Sequence, residues 1–226
     1  MSEILLWIAF IVGGFLLGSI LFSSILPKLI MKKDVTALSD DGNPGAFNVF
    51  STCGPVMGTI CMLLDVGKGF LPVFLGTFFL NTESLLFAAV IVAPVLGHSV
   101  GIFNRFHGGK CIAVSFGVTL GLLPITWVVL ILAGLYIFFS VIVRIKSHRL
   151  RSLATFGIFA VAACVIEIIF ARYSTALGCF VFSSIAFLKH TRLFSPADPC
   201  ETGAKPAVPP EPEEDTCPET NAEDAG

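Results

Sequence analysis

Residues 4–26 read ILLWIAFIVGGFLLGSILFSSIL, a run of 23 positions without a charged side chain. A helix needs about 20 apolar residues to cross the hydrocarbon core of a bilayer, so this run is long enough to span it. Six more apolar stretches follow, at residues 53–80, 84–103, 111–123, 125–143, 153–170 and 175–188. We predict an all-α integral membrane protein with about seven transmembrane helices, or five if the short fourth and last stretches are half-spans.

The overall composition supports this fold class. Hydrophobic residues make up 55% of the 226 residues and charged residues 13%, and the mean hydropathy is +0.88. A soluble domain carries roughly 25% charged residues. The chain has more apolar surface than one compact core could bury, which excludes a water-soluble globule and indicates that lipid covers the remainder.

Charge divides the chain into two parts. Residues 1–194 have a net charge of +6, whereas residues 195–226 have −8 and hold 7 of the 13 prolines. The second part has too few large apolar residues to offset the entropy of ordering. We therefore predict a polytopic membrane domain at 1–194 and a disordered, acidic, Pro-rich tail at 195–226.

The distribution of basic residues predicts the orientation in the membrane. With the N-terminus outside and seven spans, 12 of the 14 lysines and arginines fall in inner loops or in the tail. Short cytoplasmic loops carry this excess of positive charge. The C-terminus is then cytoplasmic, and the longest inner loop, near residues 27–52, places the chemically interesting side chains on the cytoplasmic side.

Gly108, Gly109 and Lys110 open the fourth apolar stretch. The N-terminus of a helix presents unsatisfied N–H groups and the positive end of the helix dipole, so an anion next to a lysine is favoured there. Cys111 follows the lysine where a nucleotide-binding Walker loop has Ser or Thr. A flexible turn with ordinary loop charges is the alternative explanation.

Ionisable residues also lie inside apolar stretches. Asp65 and Lys68 are three residues apart, so they share one helix face and can form an ion pair. Charged groups at this depth often line a polar cavity or a substrate path, although a structural pair between packed helices is the alternative. His98 lies near the inner end of the third stretch and is either catalytic or a buried histidine bonded to a neighbouring carbonyl.

Three further polar residues lie at the inner side. Asn43 and Asn48 flank Pro44-Gly45-Ala46-Phe47, where they either form turns or orient a polyol or phosphate. His190 ends the last stretch, where a solvated basic flank explains it equally well. The residues alone leave these alternatives open.

The order of the motifs is more informative than any single one. Gly18-Ser19, Gly42-Asn43 through Asn48, Asp65 to Pro72, Gly97-His98 and Phe106 to Lys110 follow one another in the chain. This succession, over roughly residues 5–193, resembles the bacterial acyl-phosphate:glycerol-3-phosphate acyltransferases, the PlsY family.

The resemblance implies an enzyme that moves an acyl chain from acyl phosphate to glycerol 3-phosphate, giving lysophosphatidic acid for phospholipid synthesis. It implies a bacterial cell membrane protein surrounded by lipid, with no metal, cofactor or coenzyme A thioester and no nucleic-acid partner. The catalytic residues implied are His98, Asn48 and Lys110. The implied substrate- and phosphate-binding residues are Ser19, Asn43, Lys68, Gly108, Gly109 and His190.

The sequence departs from the family pattern at several positions. Asp40-Asp41 stand where the family has Gly-Ser, Ser51 where it has Arg, and Cys111 where it has Gly; the residues after His190 also differ. Two alternatives therefore stand beside the enzyme: a catalytically silent paralogue that binds lipid or a partner, and a small transporter.

Overall fold

The computed structural model describes residues 2–39 and 42–191, and the predicted tail lies outside these ranges. The described residues form helices and no β-strand, which confirms the all-α prediction for them. In chain order the helices are α1 (Ser2–Ser19), α2 (Phe22–Met31), α3 (Val35–Leu38), α4 (Ala46–Cys53), α5 (Pro55–Phe79), α6 (Leu86–Val100), α7 (Ile112–Gly121), α8 (Val128–Ile137), α9 (His148–Ile169) and α10 (Tyr173–Lys189).

The helices fall into two classes of length. Among the described residues, α5, α9 and α6 with the 3₁₀ turn that follows it are each long and apolar enough to cross a bilayer. Three apolar helices are shorter, namely α7, α10 and α8 with its π-helical continuation at Phe138–Ile142. The 10 residues of α7 rise about 15 Å, roughly half of the hydrocarbon core.

The first predicted span is not one continuous helix. α1 ends at Ser19 and α2 begins at Phe22, and the two helices meet at 45°. Pro27, the proline of this region, lies inside α2 rather than at the break. Gly18 and Ser19 stand directly before the break, and Gly/Ser pairs are common sites of helix bending. Lys68 of α5 donates to the carbonyl oxygen of Ile20 within the break.

Glycines bring helices into direct backbone contact. A Cβ added at Gly18 would lie 2.2 Å from the carbonyl oxygen of Pro94, so α1 and α6 meet without a side chain between them. A Cβ at Gly117 would lie 2.0 Å from the carbonyl oxygen of Val66, which joins α7 to α5 in the same way. Gly18 follows Gly14 by four residues, a spacing typical of closely packed membrane helices.

The main apolar core is built from side chains of α5 to α10. Large apolar side chains also remain on the outer faces of the helices, as expected of a protein that lipid surrounds. The largest core side chains that are fully buried include Phe87, Ile91, Leu132, Phe156, Phe159 and Phe182. The exposed ones include Ile4, Leu63, Phe78, Leu130, Val161 and Ile169.

We call the end of the bundle formed by the loops at 80–85, 122–127 and 170–172 the far end. There the buried carboxylate of Glu167 accepts a hydrogen bond from the Thr126 hydroxyl and lies 2.7 Å from Nε of Arg172. The Ser174 hydroxyl donates to the carbonyl oxygen of Thr82. These contacts tie the loops to one another and close this end of the fold.

Candidate active site

A cavity of about 1210 Å³ opens at the other end of the bundle, bordered by α4, α5 and α7. Its volume slightly exceeds the range usual for small-ligand pockets. The polar side chains lining it are Lys33, Ser39, Asn43, Asn48, Ser51, Thr52, Asp65, His98, Lys110, Tyr136 and His148. The apolar ones are Leu38, Ala46, Phe47, Phe50, Met62, Val66, Ile112, Ala113, Phe116 and Leu120.

The apolar part of the wall follows one face of α7. Ile112, Phe116 and Leu120 are spaced four residues apart, so they lie on the same side of the helix, and all three line the cavity. From Ile112 to Leu120 the helix rises about 12 Å. The cavity therefore combines polar groups near Lys110 with an apolar channel that leads away from them.

The loop before α7 lies directly on the end of α6. A Cβ at Gly109 would lie 2.3 Å from Nε2 of His98, and one at Gly108 would lie 2.1 Å from the carbonyl oxygen of Ser99. Only glycine permits so close an approach at these two positions. The N–H of Gly109 donates to the carbonyl oxygen of His98 at 3.0 Å, so this amide, predicted as a phosphate ligand, is already used within the fold.

His98 is a buried polar residue of the cavity wall, and the loop before α7 covers its ring. Its side chain is 4% exposed, and its Nδ1 has no hydrogen-bond partner among the described residues. A buried polar atom is normally hydrogen-bonded. The ring of His98 is thus covered by its neighbours, with Gly109 against Nε2 and with Nδ1 buried.

Asn43 and Asn48 lie together at the cavity, as the predicted site requires. The side-chain amide of Asn48 donates to the carbonyl oxygen of Asn43 at 2.8 Å. The nearby Nζ of Lys33 donates to the carbonyl oxygen of Thr52 at 3.0 Å, which ties the end of α2 to α4. Asp40 and Asp41, which differ from the family pattern, lie outside the described residues.

The short helix α3 connects α2 to this loop. Asp34 caps its start by accepting from the N–H of Thr36 at 3.1 Å. Nζ of Lys28 lies 2.9 Å from the Asp34 carboxylate. The hydrogen bond from Lys28 holds the pKa of Asp34 below its ordinary value, which keeps the cap charged.

Lys68 does not line the cavity among the described residues, although Asp65 does. Its Nζ lies 2.8 Å from Oδ1 of Asp65 and donates to the carbonyl oxygen of Ile20. Of the two lysines that the resemblance implies at the site, Lys110 lines the cavity and Lys68 does not: Asp65 stands at the cavity wall, and Lys68 lies behind it.

Ser19 and His190, also predicted as substrate-binding residues, are fully buried outside the described cavity wall. The Ser19 hydroxyl donates to the carbonyl oxygen of Phe15 within α1. Nδ1 of His190 lies 2.8 Å from the carbonyl oxygen of Ala186, and its ring stacks on Phe156. Each is thus held by its own helix.

Sequence reasoning missed several residues of the wall. Tyr136 comes from α8 and packs against Phe116 with ring centroids 5.5 Å apart, while its hydroxyl bonds to that of Ser152. His148 begins α9 and contacts the Phe47 ring at 4.9 Å. Neither residue belongs to a recognisable motif, so only the packing of distant helices reveals them.

The fold and the cavity define a helical integral membrane protein whose ligand site joins a basic polar end to an apolar channel. The sequence profile of the family described as glycerol-3-phosphate acyltransferase matches residues 8–195. The glycerol-3-phosphate acyltransferase of Thermotoga petrophila is 36% identical over 185 residues, which cover 82% of this chain and 89% of the relative. That of Staphylococcus carnosus is 34% identical, with 88% and 97% covered.

Solved structures agree with these relatives. The crystal structure of PlsY (YgiH), an integral membrane glycerol 3-phosphate acyltransferase, in its lysophosphatidic acid form is similar with a TM-score of 0.70 and 25% identity. The match covers 87% of this chain and 92% of that one. The glycerol 3-phosphate form, at 24% identity and the same TM-score, shows the same fold over 88% and 99%.

The chain belongs to the glycerol-3-phosphate acyltransferase family, and it is an acyltransferase.

Proposed function

We propose that the protein transfers an acyl chain from an acyl phosphate to a hydroxyl of glycerol 3-phosphate, giving lysophosphatidic acid for phospholipid synthesis. The observation that carries this proposal is the single cavity in which Lys110, His98, Asn43 and Asn48 meet an apolar channel. The family membership favours this activity over the silent paralogue and the transporter.

The chemistry requires little covalent help from the protein. The hydroxyl oxygen of the acceptor bonds to the acyl carbon, the bond from that carbon to the phosphate oxygen breaks, and inorganic phosphate leaves with the hydroxyl proton. Because the acyl phosphate is already activated, positioning and charge stabilisation supply the catalysis. Its donor chain fits the apolar face of α7, with the phosphate near Lys110.

The lining residues divide these roles. Lys110, beside the start of α7, binds a phosphate with the help of the helix dipole. Asn43 and Asn48 orient the glycerol moiety, and His98 positions the glycerol or polarises the acyl carbonyl. Gly108 and Gly109 place this loop against His98, and the predictions that Ser19, Lys68 and His190 bind substrate stay predictions.

The membrane arrangement belongs to the same proposal. Counted as one span, the bent pair α1 and α2 joins three long and three shorter helices to give seven crossings. The excess of Lys and Arg in alternate loops supports an outside N-terminus and a cytoplasmic active site in a bacterial cell membrane. The acidic tail is then cytoplasmic; reporter fusions at residues 82 and 146 check this orientation, with only the second giving a cytoplasmic signal.

The test of the activity is an acyl-transfer assay. Purified full-length protein receives radiolabelled glycerol 3-phosphate with either acyl phosphate or acyl coenzyme A. We expect labelled lysophosphatidic acid with acyl phosphate alone. No product with any phosphorylated alcohol would favour the silent paralogue, and counterflow of a polar solute in proteoliposomes would favour the transporter.

A further inference from the structure

The break in the first span leaves two helix ends inside the bundle. α1 ends at Ser19 and α2 begins at Phe22. The N–H of Ile20 donates to the carbonyl oxygen of Leu17, and the carbonyl oxygen of Leu21 accepts from the N–H groups of Ser24 and Ile25. The carbonyl of Ile20, which would accept from the N–H of Ser24 in a continuous helix, is left at the helix end. In a bilayer, such groups must find partners within the protein. α5 supplies them.

Lys68 serves the end of α1. Its ammonium donates to the carbonyl oxygen of Ile20 and lies 5.8 Å from the centre of the Phe22 ring. A cation is favoured at the C-terminal end of a helix, where unpaired carbonyl groups and the negative end of the dipole lie. The position of Lys68 thus matches the polarity of α1.

Asp65 serves the start of α2. Its Oδ2 accepts a hydrogen bond from the hydroxyl of Ser23, in the first turn of α2, at 2.9 Å. A carboxylate is favoured at this positive end of a helix. Because Asp65 and Lys68 also pair at 2.8 Å, with side chains only 2% and 1% exposed, one ion pair on α5 is matched to both helix ends.

The start of α2 is connected to the cavity in two ways. Asp65 itself lines the cavity. In addition, Leu26 of α2 packs against a small core that contains Val49 of α4 and Cys61 of α5, and α4 carries Asn48. The orientation of α2 therefore bears on where Asn48 sits in the wall.

We propose that Asp65 and Lys68 are positioning residues that hold the broken first span in the arrangement which aligns the acceptor-binding wall of the cavity. This role rests on the proposed acyl transfer, and it differs from an ordinary ion pair because the direction of the charges matters. It also differs from direct binding of a substrate phosphate by Lys68.

Two double variants test the direction of the charges. Asp65→Asn with Lys68→Met removes both charges, so that no unpaired ion remains buried to prevent folding. Asp65→Lys with Lys68→Asp reverses the pair. The matched control is Glu167→Gln with Arg172→Met, which removes the far-end ion pair in the same way.

Steady-state kinetics with acyl phosphate and glycerol 3-phosphate provide the first readout. Small displacements of reacting groups cost up to about 100-fold in rate. We expect the neutral double variant to lose roughly 10- to 100-fold in kcat, with KM for both substrates within about twofold of wild type. The reversed pair should be at least as impaired, whereas the far-end control keeps its kcat.

Hydrogen exchange of the full-length proteins provides the second readout, which does not depend on activity. In the neutral variant, residues 20–31 should exchange at least about tenfold faster, since local opening there becomes easier. Absence of product from the wild type would sink the proposed acyl transfer. The rate of hydrogen exchange at residues 20–31 would still test whether Asp65 and Lys68 hold the broken first span.

Three outcomes would overturn the proposal. A reversed pair with wild-type kcat would show an ordinary ion pair whose direction is irrelevant. A neutral variant with unchanged kcat and unchanged exchange would show that the helix break does not need the pair. A raised KM for a phosphorylated substrate with unchanged exchange would show that Lys68 binds the phosphate directly.

Discussion

Two buried carboxylates are paired with cations, Asp65 near the middle of α5 beside the cavity and Glu167 at the far end, and the two pairs differ in their surroundings. Asp65 and Lys68 are both almost completely buried and lie within one helix. Arg172, by contrast, is 33% exposed and closes the end of the helix that carries Glu167. Its backbone N–H also donates to the Glu167 carbonyl oxygen at 2.8 Å.

The difference shows how similar chemistry serves two tasks. The far-end pair satisfies the end of its own helix and joins neighbouring loops, so it supports stability. The Asp65 pair serves the ends of two other helices and borders the cavity, so it supports alignment of the site. Changes at the cavity end should therefore alter rates, and changes at the far end should alter stability.

The largest effect is expected at Lys110. Lys110→Ala removes the cation beside the start of α7 and should lower kcat/KM by at least about 100-fold. The acyl-transfer assay measures it. Lys146→Ala, an exposed lysine outside the described cavity wall, is the control, and equal losses in both variants would refute a specific role.

A smaller loss of catalytic rate is expected when Gly109 is replaced. A Cβ there would meet Nε2 of His98 at 2.3 Å, whereas one at Gly67 would meet nothing within 4 Å. Gly109→Ala should displace His98 and lower kcat by about tenfold. Gly67→Ala should leave kcat unchanged and raise stability by about 0.5 kcal/mol. If Gly109→Ala is as active as wild type, His98 does not need its present position.

Substitution of Arg172 at the far end should lower the free energy of unfolding and leave kcat unchanged. Arg172→Met leaves the buried carboxylate of Glu167 without its cation, and we expect a loss of about 2 kcal/mol because Arg172 is partly solvated. Thermal unfolding in detergent measures this loss. A fall in kcat of the folded Arg172→Met protein would contradict the view that the far-end pair supports stability and not catalysis.

The smallest effect concerns the length of the acyl chain. Leu120 lines the cavity two helical turns beyond Ile112, so Leu120→Trp should shorten the preferred chain by a few carbons and change kcat/KM for the shortest donors less than about threefold. A series of acyl phosphates measures the preference. An unchanged profile would place the end of the chain elsewhere.

The sequence predicts the large features well. Long apolar stretches predict α5, α6 and α9 within a few residues, because the thickness of the bilayer sets helix length. Four residues that the motifs predict at the site, Asn43, Asn48, His98 and Lys110, line the same cavity.

What it does not predict depends on tertiary contacts. Gly18-Ser19 permits a bend in the run from 4 to 26, but the partner of the Ile20 carbonyl comes from α5 and is not readable from the run. The depth of Lys68 is readable from the sequence, but the contact of its side chain with the carbonyl oxygen of Ile20 is not. Likewise the Gly109 amide is used by His98, a contact between two separate elements.

Photolabelling tests the central claim, that one cavity holds the phosphate near Lys110 and the acyl chain along α7, most directly. A non-hydrolysable acyl phosphonate with a diazirine at the end of its chain would be irradiated with the purified protein, and the labelled peptides mapped. We expect labelling within residues 112–120 that excess unlabelled acyl phosphate suppresses and that Lys110→Ala weakens. Labelling confined to the lipid-facing side of α9, around Val161, and insensitive to competitor would contradict the account.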